Sequence, residues 1–254
     1  MTLAHDVAGD GPAVLLLHST VCDRRMWDPQ VPALVAAGYR VARCDLRGYG
    51  DTPLPEGPYD EAQDVVDLLD ALGADPVALV GASGGGRVSQ EVAARWPDRV
   101  AGLALLCTSA AELEPGPELR AFVDGEEAML EAGDVAGATE LNLATWLGPD
   151  ADAATREKVR EMQRHSFEVQ LVASDETGPV RVPYELSAIT APSLVVSGAH
   201  DLPDFRVIAA ELAARLPGAR LVELGWAGHL PSLERPDAVN DILIEFLGEV
   251  LPAR

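Results

Sequence analysis

The chain has 254 residues, 48% of them hydrophobic, and its 41 acidic against 19 basic residues give a formal net charge of −22. That balance excludes nucleic acid and anionic membrane surfaces as natural partners, and the length suits one large α/β domain or two small ones. Cys22, Cys44 and Cys107 are odd in number and lack a C-x-x-C spacing, which reads as free thiols in a reducing compartment rather than a disulfide framework or a zinc site.

Taken in chain order, "TLAHDVAGDGP" supplies one strand at the start, with no basic region ahead of an apolar run. Five short apolar runs, "AVLLLH", "YRVARCDL", "VALVG", "VAGLALLC" and "PSLVVSG", then read as strands, and "ARLVEL" as a last one. None is long enough to span a bilayer, and the sequence is read as that of a soluble, cytoplasmic protein. Between and after the strands lie helical patterns. One runs from about Asp60 to Leu72 with Gly73 as its stop, and a second follows Ser83. A third spans roughly Asp204 to Leu216, with Asp204 as its N-cap, and a fourth begins near Pro236 and buries Ile242, Phe246 and Val250. This alternation predicts an α/β fold with a mostly parallel sheet. The rhythm breaks between Ser109 and Ser187, where "ELRAFVDGEEAMLEAG", "VAGATELNLATWL" and "ATREKVREMQRHSFEVQLVA" read as helices only. The expected organisation is a core of residues 1–108 and 189–254, with residues 109–188 inserted as a helical lid.

The chemistry centres on "VALVGASGGGRVSQ". As a phosphate loop it fails: G-x-x-x-x-G is followed by Arg87 and Val88, and valine cannot ligate magnesium. As a dinucleotide loop it follows the third strand-like run instead of opening the first βα unit. Gly81-Ala82-Ser83-Gly84-Gly85 fits G-x-S-x-G, a strand-to-helix turn that exposes a serine and needs small neighbours two positions away. A serine hydroxyl requires a base. Of the five histidines, His229 lies in a glycine-flanked loop after the last strand, and Asp201 follows the preceding strand in "VVSGAHD". The order Ser83, Asp201, His229 differs from that of chymotrypsin or subtilisin.

These motifs resemble the α/β-hydrolase superfamily, and more narrowly its single-chain esterases and enol-lactonases. "LLLHST" is similar to the oxyanion strand and loop, "CDLRGYGDT" to the D-x-R-G-x-G-x-S turn, "VGASGGG" to the nucleophile elbow, "SGAHD" to the acid strand and "GHLPSLERPDAV" to the histidine loop. The resemblance implies an α/β-hydrolase fold, and the short N-terminus predicts about seven strands, one fewer than the full family sheet. It implies an oxyanion hole from the backbone N–H groups of Thr20 and Gly84, and no metal or organic cofactor. His18-Ser19 departs from the family's usual His-Gly, and Gly84 leaves room where a larger residue is common. His18 reads as a structural hydrogen-bonding residue, and Asp45 and Arg47 as holding their own turn. Trp27, Phe122, Trp146, Trp226 and Leu230 are expected to wall an apolar substrate pocket.

The expectation is a serine-dependent hydrolase of a small carboxylic ester or lactone, with a small molecule as its partner. Ser83 is the nucleophile, His229 the base and Asp201 the acid. The same triad serves C–C bond hydrolysis, perhydrolysis and lyase reactions, because fold does not fix chemistry, and a non-catalytic small-molecule binder is a further reading. Oligomeric state has no signature in the sequence. Between Ala111 and Ala188 the lid segment carries 17 acidic residues against 6 basic. With Arg120, Arg164 and Arg181 as its candidate cations, that charge favours an uncharged substrate.

Overall fold

The computed structural model describes residues 2–110, 115–172 and 177–253. Seven strands form one sheet: β1 (His5–Ala8), β2 (Ala13–Leu17), β3 (Arg40–Cys44), β4 (Val77–Ala82), β5 (Val100–Leu106), β6 (Ser193–Gly198) and β7 (Arg220–Leu224). Their spatial order is β1-β3-β2-β4-β5-β6-β7, with β1 antiparallel to β3 and every other pairing parallel. Each apolar run of the sequence became a strand, and the count agrees with the expected seven. β4 is buried at all six positions, and β2 from Val14 onward. A strand covered on both faces needs a continuous apolar run, which is why these segments show no alternation.

The chain first builds outward from β2 to β3, then returns to place β4 on the other side of β2. This reversal opens a crevice between the loops that leave the carboxyl ends of β2 and β4, the usual ligand position in such sheets. The loop after β2 leads through a short 3-10 turn at Arg24–Trp27 into α1 (Gln30–Ala36), and the loop after β4 is the glycine cluster.

α2 (Glu61–Leu72) is capped at both ends, as its sequence predicts. The Asp60 side chain accepts the Gln63 N–H, and Gly73 takes a left-handed φ of 60° so that its own N–H and that of Ala74 reach the last carbonyls. α3 (Gly84–Arg95) starts directly after Ser83. α4 (Pro117–Glu131), α5 (Val135–Trp146) and α6 (Ala153–Gln170) lie between β5 and β6 and correspond to the three helical patterns. The last residue of the third pattern, Ala173, lies outside the described residues, as do residues 111–114 of the inserted segment. α7 (Pro203–Arg215) buries Phe205, Ile208 and Leu212 along the expected stripe, which Leu216 continues just past its end. Its N-cap is Leu202, not Asp204. The Asp204 side chain instead accepts the N–H of Gly116 and so ties the start of α4 to the core. After β7 come α8 (Pro231–Glu234) and α9 (Pro236–Val250). α9 buries Val239, Leu243, Phe246 and Leu247, with Ile242 and Val250 at the margin. The three cysteines are buried and unpaired. Among the described residues, no helix is long and apolar enough to cross a membrane.

Two glycines test this packing in opposite directions. Gly102 of β5 lies under α9, where an added Cβ would sit 2.4 Å from Val250 Cγ2, whereas Gly248 is exposed on α9 with open space around it. Gly102→Ala is expected to lower the unfolding free energy by about 1–3 kcal/mol through overpacking. Gly248→Ala is expected to raise it by about 0.5–1 kcal/mol through helix propensity and loss of unfolded-chain entropy. Chemical denaturation of the two variants beside the parent chain measures both.

Candidate active site

The glycine cluster is a set of close approaches between backbones. A Cβ on Gly85 would lie 2.4 Å from the Leu17 carbonyl oxygen and 2.5 Å from that of His18. One on Gly81 would lie 2.4 Å from Ser89 Oγ and 2.5 Å from the Gly85 oxygen, and one on Gly86 would lie 2.3 Å from Thr108 Oγ1. α3 therefore starts pressed against the ends of β2 and β4, and only residues without a side chain fit there. Ser83, wedged between strand and helix, takes φ 51° and ψ −117°, a conformation that costs a non-glycine residue about 1–3 kcal/mol. Its backbone is over-determined: its N–H donates to Leu106, and its carbonyl accepts from Arg87 and Ser109. The hydroxyl has no hydrogen-bond partner among the described residues and borders a cavity of about 700 Å³, a volume in the range of small-ligand sites.

Asp201 and His229 meet at the edge of the same cavity. Nδ1 of His229 lies 2.7 Å from Asp201 Oδ2, with side chains 2% and 1% exposed. The other Asp201 oxygen accepts the Leu202 N–H at 2.8 Å. Two glycines allow this meeting, since a Cβ on Gly198 would fall 2.0 Å from the Gly228 oxygen and one on Gly228 would fall 2.4 Å from the Gly148 nitrogen. The His229 N–H donates to the Trp146 carbonyl at 2.9 Å, while the Glu234 carboxylate accepts the N–H groups of Gly228 and Leu230 on either side of it. Burial raises the Glu234 pKa against the opposing effect of these amide bonds. The imidazole packs edge-on against Phe205 at 4.4 Å and tilted against Trp146 at 4.6 Å.

Thr20 and Gly84 also border the cavity, and neither backbone N–H donates to another group among the described residues. Gly84 opens α3, so the positive end of a helix dipole adds to its N–H. The space left by the missing side chain at 84 is filled, because a Cβ there would lie 2.5 Å from Thr20 Cγ2. Ser19 is fully buried, and its carbonyl accepts the Cys22 N–H to close the turn. His18 stays out of the cavity: Nε2 accepts the Leu46 N–H at 2.9 Å while Nδ1 faces the Ser19 carbonyl at 2.8 Å. Burial lowers its pKa and favours the neutral ring. Asp45 holds its turn through the N–H groups of Arg24 and Asp51, but Arg47 leaves the turn to pair with Asp64 of α2 and borders the cavity.

Cys107, in a left-handed conformation (φ 43°), follows β5 and lies beside this pair. Its Sγ, the Asp201 carboxylate and a His229 nitrogen fall within 4.8 Å of one another, a spacing compatible with a metal ion. The short His229–Asp201 bond engages two of those donors, however, and burial first, then the Asp201 charge, pushes the thiol far up from its ordinary pKa. The Cys107 thiol donates to the Gly228 carbonyl at 3.6 Å, so all three groups are already engaged, and the donor set fits a hydrogen-bonded acid–imidazole pair better than a cation.

Of the expected pocket residues, only Trp146 borders the cavity. Trp27 is fully buried in the turn before α1, as part of the main core. Phe122 stacks edge-on behind Trp146 at 4.8 Å. Trp226 lies near the surface under the Arg235 guanidinium at 4.8 Å, and Leu230 is fully buried ahead of α8. Phe205 and Leu119 supply the apolar wall instead. Of the expected cations, Arg181 lines the cavity, whereas Arg120 is exposed and Arg164 borders a separate surface cleft; Arg47 and Arg87 join Arg181 there beside Glu61. Arg87 stands one helical turn after Ser83, a spacing readable in the sequence; Glu61 carries no local signal.

Residues 14–242 match the profile described as the Alpha/beta hydrolase family. The enol-lactonase from Burkholderia xenovorans LB400 is similar over 96% of both chains, with 30% identity and a TM-score of 0.80. The carboxylesterase YbfK of Bacillus subtilis (strain 168) is 26% identical over 94% of this chain and 81% of its own length. A bromoperoxidase from Bacillus anthracis shares the fold, with a TM-score of 0.80 over 96% of this chain and 95% of its own, at 20% identity. Those likenesses, the seven-stranded sheet and the serine on its strained turn lead to one statement: the chain belongs to the alpha/beta hydrolase family and is a hydrolase of that type.

Proposed function

We propose that this chain hydrolyses a small carboxylic ester or lactone through a serine nucleophile. The observation that carries the reading is the buried 2.7 Å contact between His229 and Asp201 at the edge of the cavity that Ser83 borders. With Asp201 accepting from Nδ1–H, the Nε2 of His229 is left as the acceptor, the tautomer a general base needs. Ser83 Oγ attacks the carbonyl carbon while Nε2 takes its proton. The carbonyl π pair moves onto oxygen, where the Thr20 and Gly84 N–H groups meet the developing charge. One such donor is worth about 3 kcal/mol in the transition state. The tetrahedral intermediate collapses to an acyl-serine, and His229 returns the proton to the departing alkoxide. Water then repeats the sequence in reverse and frees Ser83. Nothing in this route calls for a metal or organic cofactor.

The helices between β5 and β6 act as the cover of this site in our reading, supported by the presence of Leu119, Trp146 and Gln170 in the cavity wall. The enol-lactonase and carboxylesterase names borne by the relatives agree with ester or lactone chemistry. A panel of p-nitrophenyl esters and simple lactones tests the assignment directly. Cleavage of a β-diketone C–C bond, with esters and lactones untouched, would replace it.

Two substitutions test the roles. Ser83→Ala is expected to lower kcat by at least about three orders of magnitude while the midpoint of thermal unfolding stays within a few degrees, because the hydroxyl has no partner to lose. Asp201→Asn is expected to lower kcat by about 10⁴-fold, because an amide facing Nδ1 favours the wrong tautomer. The same change at Asp204, which bonds Gly116, is expected to cost stability and leave the chemistry intact. Steady-state kinetics with denaturation curves for the three variants separate these outcomes.

A further inference from the structure

Glu234 ends the short helix α8, and its buried carboxylate is met by amides from two separate segments of the chain. Oε2 accepts the Gly228 N–H at 3.0 Å and Oε1 the Leu230 N–H at 3.2 Å, so the group grips the backbone on both sides of His229. The Gly148 amide acts on it as well, and a Cβ on Gly148 would fall 2.3 Å from Oε2. Gly148 lies two residues beyond Trp146, the end of α5, whose carbonyl accepts the His229 N–H. One carboxylate therefore spans the histidine loop and the segment inserted between β5 and β6. A second tie fixes the same short helix from outside, where Thr155 Oγ1 of α6 donates to the Leu233 carbonyl at 3.3 Å.

Among the described residues, amides and not cations meet this carboxylate. Arg156 of α6 turns to the carbonyls of Gly148 and Ala151, and Arg235 pairs with Asp150. The titratable groups facing Glu234 are His229, itself paired with Asp201, and Cys107, whose thiol donates to the Gly228 carbonyl at 3.6 Å. Burial raises the Glu234 pKa, and the three amides and the charge of His229 oppose that rise only in part. As pH climbs from the ordinary carboxylate range through the raised value, the folded chain keeps this proton longer than the unfolded chain and loses stability. Above that window the ionised carboxylate costs folding free energy. Stability alone does not account for a charge at this position. The attraction to a protonated His229 acts in both directions, so an ionised Glu234 favours an imidazolium on the loop that it holds.

We infer that Glu234 is a positioning residue for the base: it holds the His229 loop against the inserted segment and supports the imidazolium formed when Ser83 gives up its proton. The inference rests on the hydrolase reading above and deepens it. Asp201 orients the ring directly through Nδ1, whereas Glu234 acts through the backbone on either side and through its charge. It is not among the residues that border the cavity, so it has no contact with a substrate there. Glutamine at 234 keeps the size of the side chain but turns an NH2 group toward amide donors and removes the charge, which weakens both actions.

Glu234→Gln, compared with the parent chain on p-nitrophenyl butyrate, tests the role. With active sites counted by fluorophosphonate titration, kcat per site is expected to fall about tenfold while KM stays within about twofold. In imidazole 1H–15N NMR spectra, the titration midpoint of His229 is expected to move lower by at least about 0.5 pH, because the imidazolium loses a buried negative neighbour. A loss of fold lowers the number of active sites and not the rate of each. An unchanged kcat, or a lower kcat with the midpoint unmoved or raised, overturns the positioning role and leaves ester hydrolysis standing. Where Glu234→Gln does not fold, Glu234→Asp keeps the charge and withdraws it by one methylene. Its kcat is then expected to fall about fivefold with the midpoint in place, and a parental kcat overturns the inference. If the parent cleaved no ester, the hydrolase reading would fail by itself, and the NMR titration would still decide the role of Glu234: a lowered midpoint in Glu234→Gln supports it, and an unmoved one sinks it.

Discussion

The contact on which the rest of the site depends is the approach of Gly85 to the carbonyls of Leu17 and His18. A Cβ at 85 would overlap both oxygens, so a side chain there would push α3 away from the end of β2. That one distance sets the others. It brings Gly84 against Thr20, forces Ser83 into its positive φ, and carries that residue to the crevice between β2 and β4. The strain at Ser83 is tolerated because backbone hydrogen bonds on both sides hold it. Among the described residues, the Ser83 hydroxyl and the Thr20 and Gly84 N–H groups make no hydrogen bond to protein, which leaves them open toward a ligand.

Electrostatics act at two ranges. At long range the chain is strongly acidic, and salt screens that field beyond about 10 Å. At short range the cavity is bordered by Arg87 and Arg181, both paired with Glu61. Composition therefore describes the outer field and says little about the inner one. A count of charges along the inserted segment could not register that Arg87 comes from α3 and Glu61 from α2.

Legibility followed the range of the interaction. Strands buried on both faces, such as β4, announce themselves as unbroken apolar runs, and α2 shows its Asp cap and Gly stop locally. The elbow was readable because its steric demand falls on residues two positions apart, and Asp201 and His229 because each ends a recognisable strand and loop. The cavity wall was not readable. Trp27 and Trp146 have the same side chain, yet one is core and the other stacks on His229, a difference set by tertiary packing. Asp204 has the right composition for a cap but sits inside the helix, because Pro203 already occupies its first position. Phe205 is one residue beyond it and was read as core stripe, although the same helical face also reaches the imidazole.

The bond between the His229 amide and the Trp146 carbonyl bears on how modular this fold is. The segment between β5 and β6 looks like an interchangeable part, inserted where a simple loop would do. Its central helix, however, ends at the carbonyl that fixes the backbone of the imidazole. The next residues, Leu147 and Gly148, touch Gly228 so closely that neither glycine tolerates a side chain. A chimera that takes this segment from another member of the fold would alter the support of the imidazole together with the cavity wall. Exchange is clean only where the junction at 146–148 and the glycines at 198 and 228 travel as one unit.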